Sequence, residues 1–276
     1  MLAFVNGQYI SEAALALPIN DRSFLYGDGL FETIRITNGQ PFLWREHIER
    51  LERGAAFFKI PLPYNETEIE FAARHLLSQN DVTDGVVRIH LSRGPSERGY
   101  ALPEEQKPTL VISTHKSLHT PYAGVKIITS TVRVLADDPL TQHKTANRLP
   151  NIMARREADE AGADEALILN NRNEIAEASA ANIFIVRGEE ILTPPLSAGA
   201  LAGTTRAFVL KMAKEFGFRS EEEPIFVEDV MRSDTAFLTS AHWLVTPIIS
   251  LDDTMLKATS PAVKFLRNAC ERAASG

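Results

Sequence analysis

An α+β first half joined by a short loop to an α/β second half is the fold class this chain predicts. Three observations carry that expectation. Strand-like alternation and helical spacing succeed one another early in the chain. Around Lys116 to Gly124, Ser, His, Thr, Pro and Gly occur without any period. Beyond that stretch, strands again alternate with helices. The expected layout is a small N-terminal α+β domain over residues 1–117, an interdomain loop over 118–126, and a larger domain over 127–276.

Phe4 to Ile10 reads as strand with an Asn6-Gly7 turn inside it. Phe31 to Ile36 alternates apolar and polar residues and then meets Asn38-Gly39, a hairpin signal. Ile48, Leu51, Ala55 and Phe58 recur at helical spacing, predicting a helix over Arg45 to Phe58; Thr67 to Leu77 passes the same test. Val86 to Leu91 and Thr109 to Ser113 are two further strands. In the second half the pattern gives strand Val125–Ser130, helix Leu149–Ala161, strands Glu165–Leu169 and Asn182–Val186, helix Thr204–Phe216 and a strand near Thr235–Thr239. No internal repeat or low-complexity stretch interrupts this order.

The bulk numbers agree with an ordinary globular protein: 276 residues, 44% hydrophobic and 24% charged. That length supports one large core or two moderate ones. No apolar run approaches the roughly 20 residues that span a bilayer, and Met1 to Gly7 lacks a basic region followed by an apolar stretch, so neither membrane insertion nor a signal peptide is expected. The single cysteine, Cys270, excludes an internal disulfide and a cysteine-built metal site, and a reducing cytoplasm is the expected home. A formal net charge of -7 argues against nucleic-acid partners. It leaves room for a small anion gathered by local arginines, lysines or helix amides.

Four groups of residues could carry chemistry. Lys144 lies in Thr141-Gln142-His143-Lys144-Thr145-Ala146-Asn147-Arg148, just ahead of a helix; such lysines are usually solvated, and one that forms an imine must be partly desolvated so that its amine is nucleophilic. Glu177 sits among small residues at the entrance to an apolar strand. Small neighbours suit a flat ligand lying close to backbone, and a carboxylate beside a pyridine nitrogen would keep it protonated. The ordinary alternative is a turn glutamate. Gly199-Ala200-Leu201-Ala202-Gly203-Thr204-Thr205-Arg206 opens a helix, where free amides and the two hydroxyls make a phosphate cradle or, more plainly, a helix start capped by Thr204. Arg50, after His47 on its helix, has the planar fork that grips phosphate, though helix arginines are more often at the surface. No cluster has metal-ligand spacing, so no metal is expected.

Together these stretches resemble the class IV aminotransferases, pyridoxal 5'-phosphate enzymes of fold type IV. Five segments resemble that family in order: Asp21-Arg22-Ser23 leading to Gly27 through Arg35; His47-Ile48-Glu49-Arg50-Leu51; Lys144 with Asn147-Arg148-Leu149; Glu177 to Phe184; and Thr193-Pro194-Pro195 with Gly199 to Arg206. The resemblance implies a small α+β domain and a larger barrel-like α/β domain. It implies that Lys144 holds the cofactor as an imine and serves as proton carrier, and that Glu177 pairs with the ring nitrogen. By the same resemblance Arg50, Thr204 and Thr205 hold the phosphate, Leu201 packs on the ring, and Ser240 adds a phosphate contact.

The resemblance also divides the possible activities. The branched-chain enzymes usually have tyrosine where this chain has Leu149, which sets that branch third. D-amino-acid aminotransferases bind the substrate carboxylate with an arginine and a histidine reaching into the neighbouring subunit, together with a tyrosine; here Arg98 matches the arginine, Tyr100 replaces the histidine and Phe31 replaces the tyrosine. Arg98-Gly99-Tyr100 resembles 4-amino-4-deoxychorismate lyases instead, whereas Glu32 does not. The leading expectation is a transaminase moving an amino group between an amino acid or (R)-amine, D-amino-acid type preferred, and a 2-oxo acid. The alternative is the lyase, releasing 4-aminobenzoate and pyruvate. A homodimer is implied if Arg98 serves a neighbour.

Overall fold

The computed structural model describes residues 1–116, 121 and 123–276. The chain separates into two compact units. One holds residues 1–116 with His143–Asn147; the other holds the rest of the described chain through Ala274. Most of the stretch 118–126 that the sequence assigns to a connecting loop either lies outside the described residues or, at Val125 and Lys126, already belongs to a strand. The sequence also predicts a second domain running unbroken from 127. The structure instead gives His143–Asn147 to the first unit, because this segment pairs with a strand there. Phe31 donates its N–H to Lys144 O (2.9 Å), Ala146 donates to Gly29 O (2.8 Å), and Leu30 bridges Thr145.

In the first unit, β1 (Leu2–Val5) and β2 (Gln8–Ser11) form a hairpin. Asn6 and Gly7 both take positive φ in its two-residue turn, the conformation that Asn-Gly supplies at low cost. Asp21 caps the short α1 (Arg22–Tyr26) by accepting from the amides of Ser23 and Phe24. Then come β3 (Gly29–Thr37), the Asn38-Gly39 turn, β4 (Gln40–Pro41), α2 (Trp44–Phe58) and α3 (Glu66–Gln79), the last started by an Asn65/Glu68 capping box. The strands β5 (Gly85–Ser92) and β6 (Thr109–Lys116) complete a six-stranded sheet of order β2-β1-β6-β5-β3-β4. Leu30, Ile34, Ile36, Val87, Ile89, Leu110 and Ile112 share a core with Ile48 and Leu51 of α2 and Ile69 and Leu76 of α3. Because strand side chains alternate, Phe31, Thr33, Arg35, Arg88 and His90 fall on the other face.

The second unit contains β7 (Val125–Val134), α4 (Leu149–Glu160), β8 (Glu165–Asn170), β9 (Ile175–Ala178), β10 (Asn182–Arg187) and β11 (Glu190–Thr193). It continues with α5 (Thr204–Glu215), β12 (Arg219–Glu222), α6 (Val227–Arg232), β13 (Thr235–Ser240), β14 (Leu244–Leu251), β15 (Thr254–Met255) and α7 (Pro261–Ser275). Its nine-stranded sheet runs β12-β11-β10-β13-β14-β7-β8-β9, with β15 on β14. The strand β7 is parallel to both its neighbours, as an α/β arrangement requires. Ala154 and Ala158 of α4 pack on Ala166 and Ile168 of β8, and Phe184 stacks on its cross-strand partner Phe237 with centroids 5.0 Å apart. Cys270 is buried in α7, and burial pushes its thiol up to about 12, far from a reactive thiolate. Among the described residues no helix is long and apolar enough to cross a membrane.

Candidate active site

Lys144 comes to the first unit's sheet on the paired segment that follows Gln142. It is half-buried, and its Nζ lies 4.6 Å from the centroid of the Phe31 ring. The Cζ of Arg88 lies 4.0 Å from the same ring. The negative face of an aromatic ring attracts such cations. Glu32, next along β3, turns to α2 instead. There it accepts from Arg50 through Nε (2.7 Å) and Nη2 (2.5 Å) and hydrogen-bonds His47 Nδ1 (2.7 Å). His47 and Arg50 are three apart on α2 and so share one face. Glu32 is only 1% exposed. Burial pushes its carboxyl up, but the Arg50 charge and the hydrogen bonds from Arg50 and His47 outweigh that and hold it at about 2. Burial pushes His47 down and Glu32 only partly offsets this, so the imidazole stays neutral at pH 7. Sequence resemblance gives Arg50 to a phosphate; the structure engages two of its guanidinium nitrogens with Glu32. His143 rests against Phe57 and Phe58.

Arg98 and Tyr100 lie on an exposed loop. Tyr100 is 86% exposed, with its ring edge against Tyr26. The buried Arg22 anchors this loop, donating through Nη1 to Ser96 Oγ, Gly99 O and Ala101 O. Arg22 and Arg93 are both salt-bridged to Asp28. The loop's backbone is thus fixed while Arg98 and Tyr100 are exposed.

In the second unit, Glu177 on β9 is half-buried, and its Oε2 accepts from the Leu201 amide (2.9 Å) and from Asn182 Nδ2 (3.5 Å). Asn182 also donates to Leu201 O (2.9 Å), so one side chain ties the strand to the Gly199–Gly203 loop. Behind the turn after β9, the buried Glu165 accepts from Ser179 N, Ser179 Oγ and Ala180 N. Burial raises its pKa against these donors. Sequence reasoning missed both residues: Asn182 lies within the motif read for Glu177 without a role of its own, and Glu165 looks like an ordinary strand residue. A Cβ on Gly203 would sit 2.1 Å from Asn182 Oδ1. Gly203→Ala is therefore expected to displace Asn182 and to cost about 1–3 kcal/mol. The thermal midpoint should fall by several degrees, and an unchanged melting curve would contradict the packing.

Gly203, not Thr204, is the N-cap of α5, and it makes no side-chain cap bond; Thr204 is already the first helical residue. Thr204 and Thr205 are both buried, and Thr205 Oγ1, in a residue 2% exposed, has no hydrogen-bond partner. The α5 helix packs against β13. On that strand Thr239 Oγ1 is likewise buried without a partner, while Ser240 Oγ accepts from Trp243 N (3.0 Å). Thr239 escapes a sequence reading because only the strand's register shows which of two neighbouring hydroxyls is buried.

These folds and side-chain sets can be compared with known proteins. A branched-chain aminotransferase from Thermoproteus uzoniensis, solved with norvaline, superposes with a TM-score of 0.93 at 28% identity, covering 100% of this chain and 95% of that one. A T.th. branched-chain aminotransferase, solved with pyridoxamine 5'-phosphate, gives 0.91 at 25% identity over 100% and 94%. The architecture is that of the fold-type IV pyridoxal-phosphate enzymes. Residues 29–251 match the family described as amino-transferase class IV, and the chain belongs to that family. Among curated relatives, a putative branched-chain-amino-acid aminotransferase of Methanocaldococcus jannaschii is 32% identical over 93% of this chain and 90% of its own. A D-alanine aminotransferase of Staphylococcus aureus is 31% identical over 90% and 88%. An aminodeoxychorismate lyase of Bacillus subtilis is 31% identical over 91% and 87%.

The family depends on pyridoxal 5'-phosphate, and the residues present suit that group. Thr205 offers an unpartnered buried hydroxyl at the start of a twelve-residue helix, where free amides and the helix dipole favour an anion. Glu177 offers a carboxylate already fixed by the Leu201 amide, as a protonated pyridine nitrogen requires.

Proposed function

We propose that the protein is a transaminase that exchanges an amino group between an amino acid or (R)-amine, with D-amino acids preferred, and a 2-oxo acid. In this reading Thr204, Thr205, Ser240 and Arg50 hold the cofactor phosphate, Leu201 lies on the ring, and Glu177 keeps the ring nitrogen protonated. When bound, the cofactor is an electron sink that lets the substrate's α-hydrogen leave as a proton. Lys144 Nζ takes that proton from the α-carbon and returns it elsewhere, as general base and then acid. The observation that carries the reading is the half-buried Lys144 amine beside the Phe31 ring. Phe31, Arg98 and Tyr100 attend the substrate. Arg98 and Tyr100 face outward on their anchored loop, which supports their service to a neighbouring subunit and hence a homodimer. The compartment we infer is the cytoplasm, in keeping with a single buried thiol.

The second reading is a 4-amino-4-deoxychorismate lyase, favoured by Arg98-Gly99-Tyr100 and by the relative of that name. It uses the same proton abstraction followed by elimination to pyruvate and 4-aminobenzoate. A spectroscopic screen of half-reactions separates the two. D-alanine or (R)-1-phenylethylamine should bleach the visible band of the holoenzyme, and aminodeoxychorismate should yield no 4-aminobenzoate. If no amine bleaches the band, the transaminase reading ends; abundant 4-aminobenzoate would install the lyase. Light scattering that found only monomer in active enzyme would remove the dimer.

A further inference from the structure

We propose that Arg88 binds the carboxylate of the amino substrate, a role that rests on the transaminase reading of Lys144. Register pairs Arg88 on β5 with Thr33 on β3 and Ser113 on β6, and alternation sets it on the sheet face opposite the core. Its guanidinium lies 4.0 Å from the Phe31 ring centroid, and the Lys144 amine lies 4.6 Å from that same ring. The two cations are therefore no farther apart than those two distances laid end to end.

That upper limit leaves room for one α-amino acid to touch both groups. Its amino nitrogen and its carboxylate are bonded to the same α-carbon, so a group that receives the carboxylate must stand a few ångströms from the amine that handles the α-proton. Arg88 and Lys144 lie against one ring of the same chain, and the limit on their separation is consistent with this condition. The guanidinium fork also matches a carboxylate bidentately, which a lysine would not.

The surroundings favour the same ligand. No Asp or Glu occupies the positions that share this face: 31, 33 and 35 of β3; 86 and 90 of β5; 111, 113 and 115 of β6. Thr33 and Ser113 offer hydroxyls instead, and Arg88 Nη1 reaches toward Thr33 Oγ1 at 3.5 Å. Glu32, on the intervening position, is turned away to Arg50 and His47. Phe31 presents a flat wall without a hydroxyl of its own, so on this sheet face the charged contact to the anion falls to Arg88, alongside whatever Arg98 of a neighbouring subunit adds. Arg88 is half-buried, enough to strengthen a charged contact without closing it to a ligand.

The test compares holoenzyme with Arg88→Gln and Arg88→Lys variants. Three quantities are read: KM and kcat for the amino acid that wild type turns over, the affinity for propionate measured by calorimetry, and the visible absorbance per chain. In Arg88→Gln we expect KM to rise about 100-fold and propionate affinity to fall at least tenfold, with absorbance per chain within twofold of wild type. The lysine variant should recover part of the loss, because charge returns without the fork. Unchanged KM and propionate affinity in both variants would overturn the proposal. So would losses that merely track lost absorbance, since these report cofactor retention. If the glutamine variant fails to fold, the lysine variant decides alone: a KM within twofold of wild type refutes the role. Failure of the wild-type enzyme to react with any amino acid is a separate outcome and removes the transaminase reading itself.

Discussion

Replacing Lys144 by alanine is expected to lower turnover by at least about four orders of magnitude while leaving the fold nearly as stable. A positioned proton carrier alone contributes roughly 10²–10⁴ in rate, and loss of covalent attachment adds to that. The structural role of the side chain is small by comparison. Its contact with the Phe31 ring, 4.6 Å from the centroid, is a half-exposed cation–π interaction of about 0.5–1 kcal/mol. The backbone pairing of the segment runs through Lys144 O and the Ala146 amide, which alanine at 144 preserves. Single-turnover kinetics and the melting temperature should thus separate widely. Borohydride reduction, followed by intact-mass measurement, gives an independent readout: wild type should retain cofactor mass and the variant should not. A variant holding more than a hundredth of the wild-type rate would remove Lys144 from the centre of the chemistry.

Local pattern carries much of the fold. Asn6-Gly7 and Asn38-Gly39 mark turns because few other pairs accept positive φ at both positions. Ile48, Leu51 and Ala55 mark α2 because their spacing buries one stripe. Short strands such as β9, β11 and β12 are invisible in the sequence, since four residues make no period. The helix α7 is absent from the sequence reading although Ser260-Pro261 and the buried positions Val263, Leu266 and Cys270 fit a capped amphipathic helix. Candidate site residues are legible as motif positions but not as contacts. Glu32 and Arg50 are 18 residues apart, and only packing of α2 on β3 makes them partners. Arg88 in Val87-Arg88-Ile89 reads as an alternating strand residue; its nearness to Lys144 depends on a segment that returns from far along the chain to pair with β3. Sequence gives residue types at such sites, whereas long-range register decides which of them meet.

Glu32→Gln should strongly destabilise the first unit. The carboxylate is the anion that both Arg50 and His47 face, and all three side chains are buried. Removing one member of a buried charged pair typically costs about 3–5 kcal/mol, because the remaining charge has lost both water and partner. Thermal or urea unfolding of the variant should register a loss of that size. The pH dependence provides a second check, and its sign follows from the direction of the shift. Glu32 is held at about 2, below the ordinary value of 4.5. Its contribution is therefore present in full above pH 4.5 and is lost as pH falls toward 2, amounting to roughly 3 kcal/mol over that window. His47, also depressed, acts in the same direction at higher pH: the unfolded chain takes up its proton near 6.5 while the folded chain resists. Wild type should thus lose stability on acidification in two stages. The glutamine variant should lose less in the lower stage, starting from a lower plateau; Asp28 and Glu157, also held below their ordinary values, account for what remains. Should its stability fall as steeply as wild type between pH 4.5 and 2, the Glu32–Arg50 pair is not what the acid limb reports.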